Sequence, residues 1–414
     1  MLSGDAAVAE AAAAAAAAEP RSTSKYYLGL EQLELRRKDM EIRPALSNGL
    51  VSDWDSLERL WSHLLLSELR VDPQQHPVLL SEPVHNTREA RERAATTMFE
   101  THSVPALFFS KNAVLTAFAA GRSTALVFKS GHGRTFAVPV HDGFALPAKA
   151  LSSPVTGRTI ATQLLEKLAA RGDVLKPRTA VVKQPTSGGE EYIDLDISSF
   201  APSYRDFWMG ELAHDIKASG CVRFGPGSGP DAEGPAPTSF DLPDGKKLQV
   251  GEDVTGGLAP GAFAPPAAEE EEPVPGPESM AALIANSIKN CELNVDVKKE
   301  LYATVVVTGG NTLFPGFVER LSADTTRLLN IQQPKLGSKL GILAPRTATE
   351  RHFSTWIGGS STPPPTTSPP GLLLLSDAAL VCAVVATLST FHEYWVSAAE
   401  YLEHGPKIIK RKCP

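Results

Sequence analysis

The part of the sequence best suited to ligand chemistry is residues 308–317, which read TGGNTLFPGF and follow the run ATVVV at 303–307. A β-branched run that stops at paired glycines and resumes as an amphipathic stretch predicts a strand, a tight turn and a helix. Because Gly309 and Gly310 lack Cβ atoms, their backbone can take positive φ and approach a ligand closely, while the amides of the following helix favour an anion. A purely structural turn explains the same residues, since glycine pairs between strands and helices are common in α/β proteins.

Short strands and helices alternate ahead of this turn and predict the sheet that positions it. Strands are expected at 76–83, 106–109 and 124–128, and helices at about 87–99 and 114–119. Alternation at this spacing implies an α/β fold whose sheet contains parallel pairs.

Length and composition indicate a globular protein of two or three domains. The chain has 414 residues, 42% hydrophobic and 21% charged, and a formal net charge of -7. This charge argues against binding nucleic acid through overall basicity, so no direct sequence-specific contact with nucleic acid is expected. The four cysteines, Cys221, Cys291, Cys382 and Cys413, form no CxxC pair, which favours buried thiols in a reducing compartment.

Three segments differ from the rest in composition. Residues 1–24 contain an alanine run flanked by acidic residues, which predicts a disordered tail rather than a signal peptide. Residues 226–277 are rich in Pro, Gly and Ala, and this composition predicts a disordered insertion that buries little apolar surface. The insertion includes the acidic run 269–272, which fits either a solvated spacer or a binding surface for a basic partner. A third insertion is expected at about 361–383; the apolar stretch 372–391 nearly reaches bilayer length, but Asp377 and the absence of basic flanks argue against a membrane helix.

Several motifs in this order resemble the actin family. Residues 112–124 followed by Ser130 and Gly131 are similar to the helix, turn and strand that enter the second phosphate loop of actins, and 139–146 to the strand that leaves it. The stretch 290–302 with the glycine turn resembles the adenosine loop and its approach. The remaining motifs are WIGGS at 356–360 and the ending KRKCP at 410–414.

Within that family, the match is closer to the nuclear actin-related subunits of SWI/SNF-type chromatin remodellers and histone acetyltransferase complexes than to filament actin. The stretches that carry this preference are 25–27, 48–55, 76–83, 138–143 and 400–405.

The resemblance implies a two-lobed fold of the actin, hexokinase and Hsp70 type, with a ligand cleft at the hinge and an incomplete first lobe. The first lobe is expected at 25–150 and again at 311–414, and the second at 151–310 with the insertion inside it. Nothing before Lys25 resembles the hairpin with which actins open. A wrong start site is one hypothesis for that difference, and translated intron sequence is one for 361–383.

The expected nucleotide site departs from that of the family at the phosphate end. The second loop reads KSGHGR at 129–134, where actin-like ATPases carry acidic residues at the places of Lys129 and His132. Such carboxylates organise Mg²⁺ and its waters, and a basic residue there repels the cation. Asn112 matches the residue that orients the attacking water, while His214, Ala218 and His352 stand where other ligand contacts are usual.

The resemblance therefore predicts a degenerate nucleotide site without catalytic residues or metal ligands. ATP is expected to bind weakly or not at all. Lys129 and Arg134 could instead neutralise phosphate directly, without a metal. The residues expected to bind the cofactor are Ser130, Gly131, Gly133, Lys217, Gly309, Gly310 and Asn311.

The expected function is that of a non-catalytic nuclear scaffold that regulates transcription through chromatin. Its expected partners are actin, a helical segment of a remodeller ATPase and other chromatin-complex subunits, with histones an open candidate and no membrane. Two alternatives remain: an ATPase of the actin superfamily, which requires the missing carboxylates, and an actin-like cytoskeletal ATP-binding protein that forms filaments.

Overall fold

The fold is taken from a computed structural model that describes residues 25–187, 189–223, 238–255, 258, 279–332, 339–360, 373–375 and 394–413. The chain divides into two compact units, Met1–Arg37 and Lys38–Pro414. In the first unit, a five-residue helix, α1 (Leu30–Glu34), has no buried residue, and the Arg37 guanidinium lies 3.7 Å from the ring centroid of Tyr27. The predicted tail at 1–24 lies outside the described residues.

The second unit is a mixture of helices and strands. Its strands are β1 (Leu46–Ser47), β2 (Leu50–Val51), β3 (Val78–Glu82), β4 (Ala106–Lys111), β5 (Ala125–Ser130), β6 (Thr135–His141), β7 (Phe144–Ala145), β8 (Leu151–Ser153), β9 (Val181–Thr186), β10 (Gly189–Asp194), β11 (Thr238–Asp241), β12 (Lys247–Val250), β13 (Val305–Thr308), β14 (Ile342–Leu343), β15 (Leu373–Leu375) and β16 (Val396–Ser397). Its α-helices are α2 (Trp54–His63), α3 (Arg88–Thr96), α4 (Asn112–Ala119), α5 (Gly157–Arg171), α6 (Pro202–Ala218), α7 (Glu252–Thr255), α8 (Met280–Lys289), α9 (Val295–Ala303), α10 (Phe317–Gln332), α11 (Ala348–His352), α12 (Ser354–Ser360), α13 (Ala398–His404) and α14 (Ile408–Lys412).

Two mixed sheets organise this unit. The smaller has the order β15-β3-β4-β16, in which β15, β3 and β4 run parallel and β16 is antiparallel to β4. The larger has the order β14-β13-β5-β6-β7, with β8 on β6, and its parallel pairs are β14 with β13 and β13 with β5. The predicted strands at 76–83, 106–109 and 124–128 are thus confirmed, as are the parallel pairs.

The strand, turn and helix predicted around the glycine pair are also present. All four residues of β13 are buried, because it lies between two neighbours in the larger sheet. A 3₁₀ turn, Gly310–Leu313, follows it, and α10 begins only at Phe317. The tight turn predicted at the glycine pair is thus this 3₁₀ turn, and the helix predicted from the amphipathic stretch after it begins where that stretch does.

The largest hydrophobic cluster joins the larger sheet to α5, α8 and α10, and it also contains residues from the predicted insertion at 226–277. Within that range β11 and β12 form an antiparallel hairpin, and Leu242, Leu248, Val250 and Val254 are buried in the cluster. The expectation that this whole stretch buries little apolar surface is therefore wrong for 238–255. Buried and exposed residues alternate along β12, so this strand has one apolar face. The average composition of 226–277 does not show this short alternating segment. The acidic run 269–272 lies outside the described residues.

The other predictions about apolar segments and thiols are met in part. Cys221, Cys291 and Cys413 are buried free thiols, as predicted, while Cys382 lies outside the described residues. Of the segment 361–383, the structure describes only β15, which pairs in parallel with β3. No helix in the described part of the chain is long and apolar enough to cross a membrane.

Candidate nucleotide-binding cavity

A cavity of about 710 Å³ lies at the carboxyl ends of the parallel strands of both sheets. Pro83 follows β3, Asn112 follows β4, Gly131 follows β5 and Gly309 follows β13, and all four residues line the cavity. Carboxyl ends of parallel strands are where open α/β sheets bind ligands. The topology therefore explains why loops from distant parts of the sequence meet here.

The glycine turn is held against the end of β5 by a very close backbone approach. Gly309 has φ +100°, and a Cβ atom on it would lie 2.3 Å from the carbonyl oxygen of Ser130. Its N–H donates to the carbonyl oxygen of Arg351 at 3.1 Å. Only glycine accommodates both the positive φ and this contact.

The side chain of Asn311 ties the glycine turn to the loop after β5. Its Nδ2 donates to Ser130 Oγ at 3.1 Å and to the Gly131 carbonyl oxygen at 3.0 Å. Ser130 is fully buried, and its hydroxyl also lies 3.0 Å from Thr135 Oγ1. Ser130 therefore supports the loop from behind, whereas Gly131 and Asn311 face the cavity.

The loop 130–135 also packs on the first turn of α5. Gly157 N–H donates to the Gly131 carbonyl at 2.9 Å, and Arg158 N–H donates to the His132 carbonyl at 2.8 Å. The helix begins there because Thr156 and Thr159 form a reciprocal cap, each side chain bonding the other's backbone N–H. These contacts fix the loop, and Arg158 lines the cavity.

Lys217 reaches the same helix from α6. It is 3% exposed, and its Nζ donates to the carbonyl oxygen of Gly157 at 2.7 Å. Burial lowers its pKa to about 8, although Glu211 acts weakly in the opposite direction. Because the ammonium group of Lys217 is poorly solvated, an anion beside it would stabilise its charged form.

The charged residues around the cavity are all basic. Among the residues that the structure describes, no carboxylate lines it; the ionisable lining residues are His85, Lys129, His132, Arg134, Arg158, His214, Lys217 and His352. Burial, followed by the charges of Lys217, Arg158 and His214, lowers the pKa of His132 to about 4. Burial also lowers the pKa of His352, with His214 and Lys129 acting in the same direction. The imidazole of His132 is therefore neutral near pH 7.

Comparison with known proteins identifies the family of this chain. A family model described as Actin matches residues 3–362. The chain belongs to the actin family. Actin-related protein 4 of Arabidopsis thaliana is 35% identical over 400 residues, which cover 94% of this chain and 83% of the plant protein. Actin-related protein 4 of Oryza sativa subspecies indica and japonica is 34% identical over 405 residues in each case, covering 95% of this chain and 84% of the relative.

Membership of the actin family implies that this cavity holds a nucleotide with a divalent cation. The side chains that line the cavity do not fit the cation. Mg²⁺ is normally held by carboxylate oxygens, phosphates and water. The resemblance to actins puts Lys129 and His132 at the places expected for carboxylates, and Lys129 Nζ lies 3.4 Å from Thr355 Oγ1 in the cavity wall. Asn112 is only 1% exposed, and its Oδ1 is buried without a hydrogen-bond partner among the described residues.

The structure brings six of the seven predicted cofactor residues to one cavity. Gly131, Gly133, Lys217, Gly309, Gly310 and Asn311 line it, and Ser130 lies behind it. His352, which stands where the family usually has another ligand contact, lies against Gly310, where an added Cβ would be 3.1 Å from its Cε1. Their role in binding a nucleotide stays a prediction.

Sequence reasoning missed Arg158 and the aromatic residue Phe353 as parts of the cavity. Arg158 lies two residues after the Thr156 cap, so a search for helix start signals at 156–159 would have placed it on the first turn of a helix. Nothing in the local sequence shows that this turn packs against residues 131 and 132. Phe353 carries no signal beyond its position after His352.

The pH dependence of stability tests the burial of Lys217. Its pKa is about 8 in the folded chain against 10.5 ordinarily, so the unfolded chain binds this proton more tightly between those pH values. The free energy of unfolding should therefore gain on the order of 2–3 kcal/mol from Lys217 between pH 8 and 10.5. Below pH 8 both states are protonated, and the penalty for burying the charge is present in full.

Urea denaturation of the wild type and of Lys217→Met across this pH range measures that contribution as a difference of slopes. Lys407→Met, which alters an exposed lysine, is the control and should parallel the wild type. A Lys217→Met profile that also parallels the wild type contradicts the burial of a titrating ammonium group.

Proposed function

We propose that this chain is a non-catalytic, actin-related scaffold subunit of nuclear chromatin-remodelling or histone acetyltransferase complexes. The observation that carries the non-catalytic part is the charge of the cavity: its described lining contains basic side chains and no carboxylate. Support for the family comes from the actin match and from the proteins named Actin-related protein 4.

Hydrolysis of a nucleoside triphosphate in an actin-type site requires groups that this cavity does not present. The developing charge on the phosphates must be neutralised, and the attacking water must be oriented. Lys129 and His132 disfavour the metal, and Asn112 is short and almost fully buried. A ligand held here therefore acts by stabilising the closed form of the protein through binding alone.

The partners of the scaffold follow from the resemblance of 25–27, 48–55, 76–83, 138–143 and 400–405 to nuclear actin-related subunits. They are actin, a helical docking segment of a remodeller ATPase and other subunits of the same complexes. Histones are a further candidate for direct contact, and the expected location is the nucleus.

Affinity purification of the tagged full chain from nuclei, with quantitative mass spectrometry, tests this proposal. We expect actin together with remodeller or acetyltransferase subunits, enriched over the tag alone. The Gly309→Ala variant, whose fold we expect to be strongly destabilised or lost, is the matched negative control. Recovery of cytoskeletal proteins only, or of none above the tag, would contradict the scaffold, and steady-state ATP turnover by the purified chain would contradict its non-catalytic character.

A further inference from the structure

We propose that the edge strand β15 is replaceable: the edge of β3 that it fills also accepts an extended aliphatic segment of a partner protein, running parallel to β3. In the smaller sheet, β3 (Val78–Glu82) is bordered by β4 on one side and by β15 (Leu373–Leu375) on the other. The inference rests on the proposed function only in taking the chain to act through partners.

The two sides of β3 are paired to different extents. With β4, all five residues of β3 pair in register. With β15, only the first three of them pair, Val78–Leu80. Among the described residues, the ladder on that side therefore stops before Ser81 and Glu82. Because a sheet edge is a template for a further strand, a longer segment in the place of β15 would extend the ladder along these two residues.

The chemistry of the occupant follows from the burial of β3. Val78 and Leu79 are 0% exposed, and Leu80 is 4% exposed. Successive residues of a strand point to opposite faces, so both faces of the sheet are covered here, and α12 lies against both β3 and β15. A strand added at this edge must therefore be apolar on both faces, as strands of buried parallel sheets are. The consecutive leucines 372–375 meet that requirement, whereas an alternating polar and apolar segment does not.

The short ladder of β15 makes its replacement feasible. It pairs over three residues, whereas strands of globular proteins usually have about five or six. Residues 361–372 connect it to α12, and residues 376–393 connect it to Tyr394, so closing these long connections onto the edge costs conformational entropy. A partner segment that pairs with all of β3 gains a longer ladder. Within a complex, where the effective concentration of such a segment is high, it competes with β15.

Fluorescence anisotropy on the full chain tests the proposal with a labelled synthetic peptide. The probe has leucine and valine at five consecutive positions, flanked by lysines for solubility. The control peptide is the same sequence N-methylated throughout the aliphatic run, which keeps the side chains and removes the ladder donors. We expect the probe to bind and the control peptide not to bind.

Two proline variants show whether the peptide and β15 compete for one edge. Leu374→Pro removes a ladder donor from β15 and should tighten binding of the probe about tenfold, because a site occupied by its own strand has a reduced apparent affinity. Leu343→Pro places the same residue in β14, the edge strand of the larger sheet, and should bind the probe as the wild type does. Circular dichroism shows whether each variant is folded.

Hydrogen exchange of the wild type, followed by mass spectrometry, is a second measurement that needs no variant. Without peptide, the amides of 78–82 and 373–375 should both be protected, because the two strands pair. At saturating probe, 78–82 should stay protected while 373–375 exchanges, because β15 has left the edge. If Leu374→Pro does not fold, this experiment decides.

The inference is overturned by equal affinity of the probe for the wild type and for folded Leu374→Pro, or by no binding to either protein. Equal binding of the N-methylated peptide, or protection of 373–375 that persists at saturating probe, also contradicts it. The purification from nuclei detects partners whatever surface they use, whereas these measurements contain no partner protein. Failure of this inference is therefore distinguishable from failure of the proposed function.

Discussion

Replacing Gly309 by alanine should cost the protein about 3–5 kcal/mol of its free energy of unfolding, or prevent folding altogether. Two effects combine at this position. The backbone has φ +100°, which an L-residue with a Cβ atom rarely adopts, and the added carbon would lie 2.3 Å from the Ser130 carbonyl oxygen. That oxygen belongs to the end of β5, which is hydrogen-bonded to β13, so neither partner can move without breaking the centre of the larger sheet. Urea denaturation followed by circular dichroism measures the loss.

Gly172→Ala is the control that separates the two effects. Gly172 follows α5 with φ +93°, but a Cβ atom there meets nothing within 4 Å. Its substitution should therefore cost only the backbone strain, about 1 kcal/mol. If Gly309→Ala lowers the free energy of unfolding by no more than Gly172→Ala does, the glycine turn does not approach Ser130 as closely as described.

The elements around this turn could be predicted from the sequence because their signals are local. A β-branched run predicts β13, the glycine pair predicts the turn, and the amphipathic repeat after Gly316 predicts α10. Each signal depends on neighbouring residues only. The 3₁₀ geometry of the turn at Gly310–Leu313 has no such local signal, because contacts with distant residues, such as the bond from Asn311 to Ser130, help to set it.

The long-range parts of the site could not be derived in this way. The resemblance to actins named Lys217, but no pattern shows that its Nζ meets Gly157, a residue sixty positions away in the chain. The hairpin of β11 and β12 was missed for a different reason. Averaging over a Pro- and Gly-rich stretch concealed a short alternating segment, 247–250, whose Leu248 and Val250 join the core.

Glu82→Gln should destabilise the protein by about 3–5 kcal/mol, because Glu82 is the single carboxylate of a buried ionic cluster at the ends of β3 and β4. Its Oε1 lies 2.7 Å from Lys111 Nζ and 3.0 Å from Arg91 Nε, and Glu82 is only 3% exposed. Burial lowers the pKa of Lys111, and Glu82 opposes that shift. The amide retains a hydrogen-bond acceptor but removes the charge, so the buried Lys111 and the half-buried Arg91 lose the carboxylate with which they pair.

Glu92→Gln is the matched control, because Glu92 pairs with Arg88 at 2.7 Å on the exposed side of α3. An exposed i,i+4 pair contributes about 0.5 kcal/mol or less, so this variant should unfold almost as the wild type does. Equal losses of stability in the two variants, measured by urea denaturation, would show that the cluster is solvated and not buried.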